Sequence, residues 1–344
     1  MGGQYFDLEN SQDRLRLDAQ WSDRVAGSEL LVLDEAQQAP DVFPRLRSAI
    51  DADRKRNGRF LLLGSVSPAL MAQVSESLTG RLALCELTPL LGQEIGWERL
   101  DDLWRLGGYP DGGILDAEQF PEWQMHYLDL MAQRDLPNWG LPAQPALTKR
   151  LFAMLAACHG QVWNASQIGK SLGLSYHTVN GYVDFLENAF LVRRLPSYSG
   201  NLRKRLVKSP KLYWRDSGLL HSLLQVRAGD DLFTKPWVGA SWEGWVVEQI
   251  LNHLQTTGEA VAAYHVRTSD NYEADLLLEW QGRRWVVEVK LTSVPASQDM
   301  ARLEHVGKLV KADRCLLVSR TTDQIQGRSV ASLNLPAAIE HLLG

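Results

Sequence analysis

The chain has only three cysteines in 344 residues, Cys85, Cys158 and Cys315, far apart and odd in number. That argues against a disulfide framework and against a zinc site, and it fits a reducing cytoplasm. No stretch approaches the ~18 consecutive apolar residues of a membrane span, and the opening residues do not read as a signal peptide. Repeats and low-complexity tracts are lacking too. There is no large excess of charge: 36 Lys+Arg against 41 Asp+Glu give a net −5, so composition carries no global nucleic-acid signal. One local absence stands out. Between Arg193 and Arg215 there are eight Lys/Arg and not one Asp or Glu. The remainder, 45% hydrophobic and 22% charged, is that of ordinary soluble domains. The length suits two or three of them at ~100–200 residues each.

The first hundred residues alternate apolar strands with helices. Gln4 to Leu8 reads as a strand, with a polar helix from about Ser11. Leu30-Leu31-Val32-Leu33 is a buried strand running into Asp34-Glu35. A helix over 42–54 follows, with Val42, Leu46, Ala49 and Ile50 on one stripe. Phe60 to Leu63 is a third strand, ending in Gly64-Ser65, and 81–87 is expected as a fourth. This order implies a parallel α/β sheet, whose ligands bind beyond the carboxyl ends of the strands. Asp34, Glu35 and Ser65 sit at such ends. An aspartate there can hold Mg²⁺, and the next glutamate can polarise an attacking water. Such a strand should follow a phosphate loop, G-x-x-x-x-G-K-[ST], yet the 29 residues before Leu30 contain none. Asn164 to Ser171 comes close to that pattern, but Asn164 replaces the first glycine and the order in the chain is wrong. Ile168, Leu172 and Leu174 suit a short helix and turn better.

Leu33-Asp34-Glu35-Ala36-Gln37, Gly64-Ser65 and Ser77-Leu78-Thr79-Gly80-Arg81 together resemble a prokaryotic family of AAA-type ATPases that carry a C-terminal region of unknown function. Tyr5 to Asn10 resembles the segment that follows the phosphate loop and its helix there. The resemblance implies a truncated P-loop NTPase-like sheet. It makes Asp34 the Mg²⁺ residue, Glu35 the catalytic base, Ser65 a sensor-like polar residue and Arg81 a γ-phosphate sensor or finger. Without a phosphate loop, ATP binding and hydrolysis would be impaired, and loss of the strand leading to it would leave a gap with unpaired backbone groups.

Further along, 151–157 reads as a helix and Ser166 to Leu172 as a second, ended by Gly173. Ser175 caps a third that runs to about Asn188, with Val179, Tyr182, Val183 and Leu186 inward. A strand follows at 191–195. This is the order of a winged helix-turn-helix, whose third helix would present Tyr176, His177, Thr178, Asn180 and Asp184 to DNA. The acid-free run, with Arg203, Lys204 and Arg205 at its centre, would contact phosphates. Its alternative reading is a packing module whose basic strands meet acids of a neighbouring domain.

In the last third, 274–280 and 283–291 read as strands joined at Gln281-Gly282. A two-residue turn places Asp275 opposite Glu288 and Lys290 opposite Glu273, all on one face. Facing carboxylates need a compensating charge. The pattern resembles the PD-(D/E)XK nuclease core, which implies Mg²⁺ on Asp275 and Glu288 and a water oriented by Lys290. The preceding helix offers Glu243 and Glu248. The expected partition is an ATPase module over 1–100, a helical linker or lid over 101–147, a winged helix over 148–215 and a nuclease-like α/β domain over 216–344. The expected ligands are Mg²⁺ and ATP. DNA, a protein partner or a second copy are the candidate partners, with no membrane.

Overall fold

The structure is a computed structural model that describes residues 3–64, 77–200, 207–227, 230–268, 272–327 and 329–344. The chain divides into two compact units, 1–86 and 87–344. Among the described residues no helix is long and apolar enough to cross a membrane.

In the first unit, β1 (Gly3–Asp7), β2 (Leu30–Asp34) and β3 (Phe60–Leu62) form a parallel sheet with β2 in the middle. Helices α1 (Ser11–Ala26) and α2 (Val42–Ala52) connect them. Asn10 starts α1 by accepting the Gln12 and Asp13 backbone N–H groups, which satisfies donors the helix itself cannot. Phe6, Leu8, Leu31 and Leu33 close a small core with Leu17, Val42, Phe43 and Leu46. Both flanks of β2 are paired, and among the described residues β3 has a strand on one side only. One expectation is corrected. The stretch 81–87 forms no strand: Arg81 closes a turn with Leu78, and Leu84 and Leu87 are exposed, leaving no apolar face to bury.

The second unit takes in residues before 100, because Leu90, Ile95 and Trp97 pack on its core. It continues through α3 (Leu100–Leu106), α4 (Glu122–Leu130) and α5 (Pro145–Ala157). Next come β4 (Gln161–Val162), α6 (Ala165–Leu172), α7 (Tyr176–Asn188), β5 (Val192–Leu195) and β6 (Lys211–Trp214). Within the stretch 101–147, Leu103, Trp104 and Phe120 enter one core, and Leu128, Met131 and Leu136 another. Asn164 caps α6 through Gln167 N–H, Gly173 ends it at φ 68, and Ser175 caps α7 through Thr178 N–H. Asn164 to Ser171 is therefore helix, not a phosphate cradle. Strands β4, β6 and β5 make an antiparallel sheet with β6 central. Leu212 and Trp214 of β6 turn toward α5–α7, so Lys211 and Tyr213 turn the other way.

Helix α8 (Ser217–Leu223) adds Leu219 and Leu220 to the helical core, and that other side is occupied by α9 (Val238–Gln255) and by a six-stranded sheet of β7 (Ala262–Arg267), β8 (Glu273–Trp280), β9 (Arg283–Val289), β10 (Arg314–Ser319), β11 (Ile325–Gln326) and β12 (Val330–Asn334). Its order is β11-β12-β10-β9-β8-β7, antiparallel from β7 to β9 and parallel from β9 through β10 to β12. Helix α9 covers one face with α11 (Leu335–Leu343), and α10 (Ser297–Val310) covers the other. Gln281 and Gly282 both have positive φ, 48° and 70°, the backbone of a type I′ turn. The ladder runs from Trp280↔Arg283 to Leu276↔Val287, the register that such a turn requires.

Candidate functional sites

Asp34 and Glu35 stand at the carboxyl end of β2. Asp34 accepts the Glu35 backbone N–H at 2.9 Å and the Tyr5 hydroxyl from the neighbouring strand. That hydrogen bond pushes the exposed Tyr5 phenol up to about 12. Glu35 takes the left-handed conformation at φ 48 and accepts from the Gln37 side-chain amide. A side chain at Gly64 would collide with that amide group, its Cβ falling 2.3 Å from Gln37 Oε1. The end of β3 thus closes against the turn after β2. Ser65 lies outside the described residues. Arg81 is not brought to this tip. It donates to both Asp51 oxygens at 2.8 and 2.9 Å, at the end of α2 remote from Asp34, because a helix between parallel strands runs back against them.

Four cations of the acid-free run, Arg193, Arg194, Lys211 and Arg215, pair with acids of the fold. Arg193 and Arg215 both grip Glu248 of α9, a carboxylate 3% exposed, with contacts of 3.0 and 3.1 Å. Burial would push Glu248 up, but the two guanidiniums hold it below its ordinary value. Arg194 pairs with Asp184 and Glu187 of α7. Beyond β5 the chain lies along β7, through Tyr198 N–H to His265 O and Val207 N–H to Arg267 O. Arg193, Arg194 and Arg215 thus face acids of the fold, while Lys208 is exposed. Arg203, Lys204 and Arg205 lie outside the described residues. At the start of α7, Tyr176 and His177 are exposed with rings 3.8 Å apart. Asn180 is tied to Trp163 Nε1 at 2.8 Å. Beside them a groove of about 590 Å³ is lined by Trp163, Asn164, Gln167, Tyr176, Asn180 and Ser209.

The third cluster lies between β6, α9 and β8. Lys211, 2% exposed, places Nζ 3.0 Å from Glu243, 2.7 Å from Glu273 and 3.0 Å from Asp275. Burial alone would favour a neutral lysine, but Asp275, Glu243 and Glu273 hold its proton more firmly than water does. Tyr213 donates to Glu243 at 2.6 Å, and Val289 N–H to Asp275 at 2.9 Å. The four charges expected on one face are split. A register shift between Tyr264 and Val266 bulges β8 at 275–276. Glu273 and Asp275 go to Lys211, whereas Lys290 pairs with Glu288 at 2.6 Å instead of Glu273. Asp275 and Glu288 each already have a cationic partner from the chain, Lys211 at 3.0 Å and Lys290 at 2.6 Å. Among the described residues no three His, Cys, Asp or Glu are grouped as a metal needs. Glu243 and Glu248 were visible in the sequence as helical acids. Their cationic partners could have been found only by setting the acid-free run against them.

Burial and the nearby Asp275 push Glu288 up to about 8 and Glu243 to about 7, from 4.5. The unfolded chain has lost these protons at a pH where the folded one still holds them. Their contribution to stability is full below about 4.5 and is lost as pH rises through 7–8. Buried His159 and His221, depressed to about 3 and about 4, stop titrating once the unfolded histidines are neutral near ~6.5. The urea midpoint of the protein should therefore fall between about pH 7 and about pH 9, and Glu288→Gln should flatten that fall. Equal slopes in the two proteins would remove Glu288 as its source.

Comparison with known proteins matches the chain in three stretches. Residues 3–96 match the family model of an AAA domain, 98–230 that of a domain of unknown function (DUF8612) and 238–337 that of another (DUF4143). Uncharacterized proteins of Mycobacterium tuberculosis and Mycobacterium bovis are each 38% identical over 292 residues, 85% of this chain. The chain spans 65% of their length. An uncharacterized protein of Haemophilus influenzae is 25% identical over 180 residues, covering 47% of this chain and 45% of that protein. Among solved structures, Can2 of Sulfobacillus thermosulfidooxidans in complex with cyclic tetra-adenylate aligns over 93% of both chains at 11% identity and a TM-score of 0.25. Protein VC1899 of Vibrio cholerae aligns over 91% of this chain and 88% of its own at 13% identity and 0.21. The chain thus resembles AAA-type proteins over residues 3–96 and a domain of unknown function over residues 238–337.

Proposed function

We propose that the protein is an AAA-type ATPase in which Asp34 holds the Mg²⁺ of bound ATP and Glu35 positions the attacking water. The observation that carries this reading is the acidic pair at the carboxyl end of the middle strand of a parallel sheet, inside the segment similar to an AAA domain. Asp34 suits the ion chemically. A carboxylate has about four lone-pair sites, and Tyr5 and the Glu35 N–H engage two. Bound Mg²⁺ would offset phosphate charge as the terminal group leaves. Glu35 keeps a left-handed backbone that costs an ordinary residue about 1–2 kcal/mol, a strain often retained where a side chain must be aimed. In this reading Ser65 contacts the nucleotide, and Arg81 does not.

The test is ATP hydrolysis by the full-length protein, with all that its reading frame encodes. Glu35→Gln should lower kcat by about 100-fold or more while Mg²⁺-dependent ATP binding persists. Turnover unchanged by that substitution, or no ATP binding by the full-length protein, would overturn the proposal.

A second reading, DNA association through α7, is favoured by the exposed Tyr176–His177 pair beside the polar groove. Binding should weaken with salt, and Tyr176→Ala with His177→Ala should reduce it by about tenfold. Absence of binding at low salt, or no effect of the two substitutions, counts against it.

A further inference from the structure

We infer that the groove between β4, α6 and the start of α7 is a binding site for one unstacked nucleobase of a single-stranded nucleic acid. The inference rests on the reading of α7 as a nucleic-acid contact and narrows it from a duplex to a single strand.

Helix α7 is poorly built to lie along a duplex. Asn180, Asp184 and Glu187 are spaced to share one face of the helix. Both acids answer a single guanidinium, that of Arg194, so beyond Asn180 this face brings more negative than positive charge toward phosphates. Asn180 has its carboxamide oxygen engaged by Trp163 Nε1 at 2.8 Å. In a major groove, asparagine reads adenine with that oxygen and its NH₂ together. What α7 leaves open is its first turn, where Tyr176 and His177 stand exposed with ring centroids 3.8 Å apart.

The groove beside that turn suits a nucleobase better than a phosphate. Its lining brings together the carboxamides of Asn164, Gln167 and Asn180, serine hydroxyls and the rings of Trp163 and Tyr176, with no charged side chain among the described residues. Unstacked bases are held in this way, on aromatic rings with their edges hydrogen-bonded. The Trp163 contact leaves the Asn180 NH₂ as a donor, and Asn164 Oδ1 is occupied by the Gln167 backbone N–H at 3.1 Å, which leaves its NH₂ as a second. The volume, about 590 Å³, lies within the ~300–1,000 Å³ of small-ligand sites. Positive charge stands next to the lining and not in it. Lys208 precedes Ser209, and Lys170 lies one turn after Gln167 on α6, both exposed. Such lysines suit the phosphates on either side of a bound base, where they add affinity without reading sequence.

The experiment is fluorescence anisotropy of the full chain at low salt with labelled strands of about 12 nucleotides. The strands are a single DNA strand, the same sequence as RNA, the DNA duplex, and an abasic DNA strand of equal charge. The better-bound single strand, DNA or RNA, should bind at least about tenfold more tightly than the duplex or the abasic strand, and it names the source of the base. Tyr176→Ala should lower single-strand affinity by about tenfold, and Tyr176→Phe should retain it. The salt dependence should stay the same in both variants, because the phosphate contacts remain. Duplex or abasic strand bound as tightly as the single strand would overturn this inference and leave α7 as a nucleic-acid contact. Unchanged single-strand affinity in Tyr176→Ala would remove the groove as the site. No binding of any strand at low salt would overturn both the inference and the reading on which it rests.

Discussion

Lys211 cannot be buried unless its charge is answered, and the second unit is assembled around that answer. Desolvating an ion costs several kcal/mol, so a cation on the middle strand of a small sheet is tolerable only if carboxylates are waiting there. Glu243, Glu273 and Asp275 supply them, and Arg193 and Arg215 repeat the arrangement around Glu248. Strand alternation does the sorting. Leu212 and Trp214 join the helical core, while Lys211 and Tyr213 face α9 and the larger sheet. One strand thus specifies an apolar contact on one side and an ionic one on the other. Such pairs set register more surely than they add stability, because each removed partner leaves a buried charge without its counter-ion.

Much of the local structure was legible in the sequence. Gly173 and Ser175 marked where α6 ends and α7 begins, and Gln281-Gly282 fixed the register of β8 with β9. These signals act within a few residues, where backbone geometry has few solutions. The partners of the basic run were not legible. A one-signed run looks the same whether it faces water, phosphate or carboxylates, and the acids that answer Arg193, Lys211 and Arg215 lie 32 to 64 residues further along the chain. The bulge in β8 was likewise hidden, since it arises in pairing with β7 and not in the hairpin. Arg81 followed its nearest available acid, Asp51, and left the Asp34 tip.

The two acidic clusters differ in kind. Asp34 and Glu35 are half-exposed at a strand end, fixed by neutral donors and open to a further ligand. Glu243, Glu273 and Asp275 are enclosed and already hold a cation from the chain itself. The first is where the proposed reading puts a ligand, and the second joins the helical and sheet layers. A nuclease-like pattern of acids therefore does not by itself license metal-dependent cleavage in this protein.

The most direct test is heteronuclear NMR of the lysine ammonium groups, with Lys211→Arg to assign the signal. A buried Lys211 should give an Nζ resonance that exchanges slowly with water and stays protonated above the ordinary lysine range of ~10.4. A Lys211 signal that exchanges rapidly, or that titrates like a solvent lysine, would mean the ammonium is not held among the three carboxylates, and the account of the second unit would fail.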